Sequence, residues 1–357
     1  MNPPDGPTDM KKPTTISALL ALLASLAAPC EALPQRDFRW TSSPPLIAPP
    51  QSGPVKYYGV KDPSVVYFDG KYHVFMTTAG ENGWGLAYTS FADWRDAPSA
   101  PIVPLDTSPM GPGYRAAPQV FYFAPQKLWY LVYQGGDPMY STTRDVADPR
   151  SWTAPKPFFG AVPDVVKNRE GNAAWLDFWV ICDDSTCYLF FTNDDGAFFR
   201  AETDIGRFPE GFHDTTLVMK APRDDLFEAG NTYKVAGTGK FITLVEAIGS
   251  KGRYFRVWQS DRLDGEWIPL GGGMNVFAGS DNVRFDGKAW SEGVSHGEML
   301  RAGFDQTLSI DPCQPLRFLY QGLDPEGKTG DYIKLPYRLG VITAAGPDPV
   351  RAMCPKH

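Results

Sequence analysis

The chain has 357 residues, with 34 Lys and Arg against 41 Asp and Glu, for a net charge of −7. A balance this acidic argues against a nucleic-acid binder, which needs a basic patch or stripe, while the length allows one large core or two ordinary ones. Aromatics at 13%, with 35 Gly and 34 Pro, describe a turn-rich composition closer to an all-β carbohydrate protein than to a helical one.

The first element is "MKKPTTISALLALLASLAAPCEALP": two lysines, an apolar run from Ile16 to Ala28, then small residues. That is the layout of a secretory signal peptide, and the run is too short and Ala-rich to span a bilayer. Residues 1–32 are therefore expected to be a signal peptide with an N-terminal extension, Met1–Asp9 reading as an over-extended start, and the mature protein is expected to be exported. Five cysteines suit that compartment. Cys182 and Cys187 flank "DDST" as a hairpin clip; Cys313 pairs with Cys354, or Cys30 with one of them. No CxxC occurs, which argues against zinc.

From residue 33 to 357 a single domain is expected, since no linker or charge block interrupts it. "SVVYFDGKYHVFMTTA" opens it as two strands closed by an Asp-Gly turn. Similar pairs follow in "PQVFYFAPQKLWYLVYQG", "FWVICDDSTCYLFFTND", "NTYKVAGTGKFITLVEAIG" and "QTLSIDPCQPLRFLYQG". Between them recur stretches that run from a strand end through a polar turn and an aromatic to an apolar pick-up. They start at Ala87, Tyr140, Arg200 and Val257, roughly 52–60 residues apart, and "YRLGVITA" from Tyr337 closes the series. No stretch after the leader has helical periodicity with caps. Five units of about four strands predict an all-β, five-bladed β-propeller.

In a propeller the innermost strand of each blade lines the central channel, so residues at its start converge on one mouth. Read in register, the five units offer Asp62, Gln119, Asp177, Glu228 and His296 there. Three carboxyls around one hollow push one another's protons on, which lets one serve as acid while another serves as base. Acetal hydrolysis between sugars needs that division of labour. The four histidines, at 73, 213, 296 and 357, accompany no nucleophile motif, and "GGGMN" lacks the pattern of a phosphate loop. Asp183, Asp184, Asp194 and Asp195 read as turn residues. Among Trp84, Trp129, Trp179 and Trp258, Trp84 on its "ENGWG" loop is the favoured sugar-stacking ring.

"FRWTSSPPL", "KDPSVVYFDGKYHVF", "GYRAAPQVFYFAPQKLWYLVYQ", "DFWVICDDSTCYLFFTNDDG", "LFEAGNTYKV", "VSHGEML" and "GDYIKLPYRLGVIT" together resemble glycoside hydrolase family 62, in the clan shared with family 43. The resemblance covers about residues 37–345. It implies a five-bladed propeller that removes α-L-arabinofuranosyl side groups from arabinoxylan, arabinan and their oligosaccharides with inversion, as a secreted monomer without organic cofactor, nucleic acid or membrane partner. Carried over residue by residue, it implies Asp62 as general base, Asp177 as the acid that tunes pKa and orients the sugar, and Glu228 as general acid. It further implies Lys61, Gln119, Glu246, Gln306 and Tyr332 at the substrate, and His296 beside a water-held structural calcium in the central channel. Ile333 and Lys334 depart from the smaller polar residues expected after Tyr332. The rival readings are another enzyme of the clan, an endo-arabinanase or β-xylosidase, and a non-catalytic carbohydrate-binding propeller.

Overall fold

The computed structural model describes residues 37–167 and 175–355; the expected signal peptide and Cys30 lie outside them. Among the described residues, helix is limited to Asp164–Lys167 and a few 3-10 turns. The rest of the regular structure is strand, in five sheets. Each sheet is an antiparallel meander of four principal strands. The first runs Tyr57–Phe68, Lys71–Gly80, Gly83–Phe91 and Val103–Pro104, and the second Ala116–Phe123, Leu128–Gly135, Asp137–Thr143 and Lys156–Pro157. The third is Trp175–Cys182, Thr186–Asn193, Ala197–Asp204 and His213–Lys220; the fourth is Asn231–Val235, Lys240–Gly249, Gly252–Ser260 and Ile268–Pro269. In the fifth, Ser295–Met299, Arg317–Leu323 and Tyr337–Ala344 are completed from the start of the domain by Trp40–Ser42, whose Trp40 lies opposite Ala344. The ring is thus closed by a strand that precedes blade one. This is the five-bladed propeller that the sequence period predicts.

Local chemistry explains the hairpins. Asp69 and Gly70 both take positive φ, 47° and 74°, as a two-residue turn matching strand twist requires, and Phe68 pairs with Lys71 across it. One expected hairpin is not one. In "QTLSIDPCQPLRFLYQG", Ser309–Ile310 pairs in parallel with the inner strand of blade four, while Arg317–Leu323 is the second strand of blade five. The Asp311–Gln314 turn is a crossing between blades.

The blades stack face to face, so their middle strands are apolar on both sides. Trp179, Phe190 and Phe198, on three adjacent strands of blade three, stack on one another with ring centroids 5.3–5.8 Å apart. Trp129 and Trp258 are likewise buried in core, and of the four tryptophans considered for sugar stacking only Trp84 reaches a pocket mouth. Two disulfides form, Cys182–Cys187 across a hairpin and Cys313–Cys354 tying down the C-terminal segment. No described helix is long and apolar enough to cross a membrane.

Candidate active site

A repeated backbone device builds the site. Near the start of the inner strand in blades one, two, three and five the ladder skips, between Lys61 and Ser64, Ala116 and Gln119, Leu176 and Trp179, and Ser295 and Gly297. A bulge of this kind re-aims a side chain out of the sheet. In blades one to three a residue at the skip has left-handed φ, Asp62 at 47°, Ala117 at 51° and Asp177 at 54°, and in blade four Ala229, two residues before the inner strand, does the same at 56°. Such a conformation is uncommon outside glycine, and the surrounding structure holds it. Each bulge N–H donates to a side chain: Asp62 N to Gln321 Oε1 at 2.8 Å, Ala117 N to Thr77 Oγ1 at 2.9 Å and Asp177 N to Gln134 Oε1 at 3.4 Å. Ala229 N donates to Asp177 Oδ2 at 2.9 Å and His296 N to Glu246 Oε2 at 2.7 Å.

The bulges bring Asp62, Asp177 and His296 together, with Glu228 one residue before Ala229. Their pocket, about 230 Å³, is also walled by Lys61, Trp84, Tyr114, Gln134 and Tyr332. At about 30 Å³ per water that volume suits one small sugar. A neighbouring groove of about 500 Å³ shares Trp84 and Tyr114 with it and extends over Asp106, Met110 and Arg115.

Three expected pocket residues are elsewhere. Gln119 lies two positions beyond the bulge; its amide accepts from Val180 N at 2.7 Å and donates to Val180 O at 3.0 Å, stitching blade two to blade three. The bulge residue of blade two is Ala117. Gln306 accepts from Ala124 N at 3.0 Å, and its main-chain oxygen accepts from Cys182 N at 2.8 Å. Those partners end the inner strands of blades two and three, opposite the bulges. Glu246 is fully buried behind the pocket wall, where Arg253, Ser295 and the His296 N–H all donate to it. Lys61 and Tyr332 do line the pocket: Lys61 Nζ donates to the Tyr332 hydroxyl at 2.8 Å, 4.0 Å from Asp62 Oδ1. It sits within about 5 Å of the Trp84, Tyr332 and Tyr337 rings. Sequence reasoning missed Tyr114, Gln134, Ser295, Gln321 and Arg253, the last donating to Glu228 Oε1 at 3.0 Å.

The environments drive the acids apart. Burial alone would raise the pKa of Asp62, but Lys61 and His296, whose Nδ1 is 3.3 Å from Asp62 Oδ1, outweigh it and hold this carboxyl well below the usual range. Asp177 is pushed up to about 6 by burial, against the pull of His296. Glu228 is pushed up to about 8, by burial first and then by Asp177 and Glu246, against Arg253. His296 is raised to about 9 because Asp62 and Asp177 overcome its burial. At neutral pH the pocket therefore holds an ionised Asp62 beside an imidazolium, and a protonated Glu228.

Calcium takes six to eight oxygen ligands, and the oxygens around His296 do not form such a set. Glu246 is engaged as above, Gln321 Oε1 accepts from Asp62 N, and Asp62 and Asp177 face the imidazole Nδ1. The three-ligand group among the described residues, Glu202, His213 and Asp214, is at the outer edge of blade three. With the protein oxygens there engaged elsewhere, a calcium at His296 would be held mostly through water, as the resemblance implies, and no chemistry below passes through it.

Comparison with known proteins agrees with this fold. The model of glycosyl hydrolase family 62 matches residues 39–343. Alpha-L-arabinofuranosidase C of Cellvibrio japonicus is 41% identical over 309 residues, 85% of this chain and 46% of that protein, so the chain spans about half the length of this curated relative. The catalytic domain of the Coprinopsis cinerea GH62 α-L-arabinofuranosidase superposes with a TM-score of 0.83 at 50% identity, covering 87% of this chain and 98% of that one. An α-L-arabinofuranosidase from Podospora anserina, solved in complex with cellotriose, gives the same TM-score and coverage at 46% identity.

Proposed function

Because the chain belongs to glycosyl hydrolase family 62, we propose that it is an inverting α-L-arabinofuranosidase that releases arabinofuranose side groups from arabinoxylan and arabinan. The observation that carries this reading is one sugar-sized pocket holding two carboxyls of opposite protonation, Asp62 ionised and Glu228 protonated. Arabinose enters the pocket, and the polysaccharide backbone stays outside, along the groove that shares Trp84 and Tyr114. Asp62 draws a proton from a water, whose oxygen attacks the anomeric carbon. The glycosidic bond breaks, and Glu228 gives its proton to the departing xylan oxygen. Asp177 keeps Glu228 protonated by its nearby charge and, through Ala229 N, fixes the backbone beside it. The charge on His296 keeps Asp62 ionised in the resting pocket. The chemistry uses water and carboxyls and calls for no organic cofactor.

The protein works, on this reading, as an exported monomer. Support for export comes from the leader-like N-terminus and two disulfides, which persist in oxidising compartments. Proton NMR of wheat arabinoxylan during hydrolysis tests the reaction: β-arabinofuranose should appear first, and Asp62→Ala and Glu228→Ala should each release none while melting cooperatively. First appearance of the α-anomer would overturn inversion. Shortened arabinan chains with no arabinose from arabinoxylan would favour the endo-acting rival, and activity retained in either variant would remove the assignment of roles.

A further inference from the structure

The backbone of the proposed base and the carboxyl of the proposed acid are joined behind the pocket by a chain of hydrogen bonds, buried from Asp62 to Glu246 and part-buried at Arg253. Gln321 Oε1 accepts from Asp62 N at 2.8 Å, and Gln321 Nε2 donates to Ser295 Oγ at 2.9 Å. Ser295 Oγ donates to Glu246 Oε2 at 2.8 Å; Arg253 Nη1 bonds Glu246 Oε1 and, at 3.0 Å, Glu228 Oε1. Gln321 is 3% exposed, Ser295 7% and Glu246 0%. Buried networks in which every member is satisfied are rigid, and breaking one link leaves its neighbours unpaired. The chain also grips the strained point, since Asp62 has φ of 47° and such a conformation persists only where its surroundings over-determine it.

We infer that Gln321 and Ser295 are positioning residues for the hydrolysis, fixing the distance between Asp62 and Glu228 through Glu246 and Arg253. Neither touches the reacting atoms: Gln321 holds the backbone of Asp62, and Ser295 links Gln321 to Glu246. An inverting enzyme must keep room for one water between its carboxyls, and misplacement by about 1 Å costs on the order of 10²-fold. Loss of the network should therefore lower turnover, while Trp84, Tyr114 and Tyr332, which it does not hold, keep binding the sugar. The inference rests on the roles proposed for Asp62 and Glu228.

The test is steady-state kinetics on arabinoxylo-oligosaccharide at the pH optimum, with the full chain. Gln321→Met, which fills similar space without hydrogen bonds, should lose tenfold or more in kcat with KM within about twofold. Arg253→Met should also lose kcat, and the double variant should fall little below the worse single, because contacts in one network are not additive. Gln119→Met, which removes a buried glutamine stitch of the same kind between blades two and three, should lower the melting temperature and leave kcat unchanged; this separates positioning from stability. Gln321→Met with kcat within twofold of wild type, or losses that multiply in the double variant, would overturn the inference. Were Asp62→Ala itself active, the proposed roles would fall first; Asp62→Ala inactive with Gln321→Met fully active would overturn the positioning inference alone.

Discussion

Asp177→Asn tests the electrostatics of the pocket most directly. The amide keeps an oxygen to accept from Ala229 N, now at 2.9 Å, so the backbone beside Glu228 stays held while one negative charge disappears. Asp177 titrates near 6 and is about nine-tenths ionised at pH 7; it is the largest charge contribution, after burial, to the rise of Glu228 to about 8. Two unit charges at the roughly 5–7 Å of carboxyls sharing a pocket interact by about 2–3 kcal/mol at an effective dielectric of about 20, or about two pKa units at 1.36 kcal/mol each. Water in the pocket reduces this, so a fall of about one to two units is expected. The sign follows from the role: Glu228 works only when protonated, so activity is present below its pKa and lost as pH rises through it. The alkaline limb of kcat/KM, which reports the free enzyme, should lie near pH 8 in the wild type and move to lower pH in the residual activity of Asp177→Asn. Burial still raises Glu228, so the limb should not reach its ordinary value of 4.5. An unmoved limb, or one moved to higher pH, would refute this account.

Glu228→Gln should stabilise the fold increasingly as pH rises. An unfolded carboxyl releases its proton near 4.5 and the folded one near 8, so the wild type loses stability across that window, and the gap in melting temperature should widen between pH 5 and pH 8. Gly230→Ala should cost about 1–3 kcal/mol as an overpacking change, because an added Cβ would lie 2.2 Å from the Trp179 ring; urea denaturation measures it, and activity should fall with the displaced Glu228. Opening Cys313–Cys354, separated by 41 residues, should cost about 4 kcal/mol against about 2 kcal/mol for Cys182–Cys187, separated by 5, on loop-entropy grounds. Paired Cys→Ser variants compared by thermal melting check the order.

The propeller was legible because each blade must alternate apolar strands with turns, and that pattern repeats along the chain. The three carboxyls and the histidine near the starts of inner strands were legible for the same reason. Blade two was misaligned although a marker was present: Pro118 of "AAPQ" corresponds to Pro63 of "KDPS", which places Ala117, not Gln119, under Asp62. A second signal also went unread. "YQG" occurs in the second strands of blades two and five, and in both the glutamine holds a bulge N–H, Gln134 that of Asp177 and Gln321 that of Asp62. In both, too, the preceding tyrosine hydroxyl is 2.9 Å from a serine, Ser141 for Tyr133 and Ser42 for Tyr320. Arg253 had no such marker, since it reaches Glu228 from the third strand of its blade only through tertiary packing. The same holds for Ser309–Ile310, whose parallel pairing joins segments far apart in the chain.

Blade three shows how the scaffold and the site share parts. The residue paired with the one before the bulge is Thr77, Gln134 or Gln321 in blades one, two and five, and in each case it holds the next bulge N–H. In blade three that residue is Thr192, paired with Leu176, yet its hydroxyl is buried without a hydrogen-bond partner among the described residues. Asp177 holds Ala229 N in its place. Asp177→Ala should then cost stability as well as turnover, about 1–3 kcal/mol for a stranded buried N–H, whereas Asp177→Asn should melt near wild type. Thr192→Gln added to Asp177→Ala supplies the side chain that Gln134 and Gln321 provide elsewhere. The double variant should regain melting temperature and stay inactive, because a neutral amide reaching from the second strand restores the joint between blades without the charge that keeps Glu228 protonated. Recovery of activity along with stability would mean that Asp177 acts only as a brace.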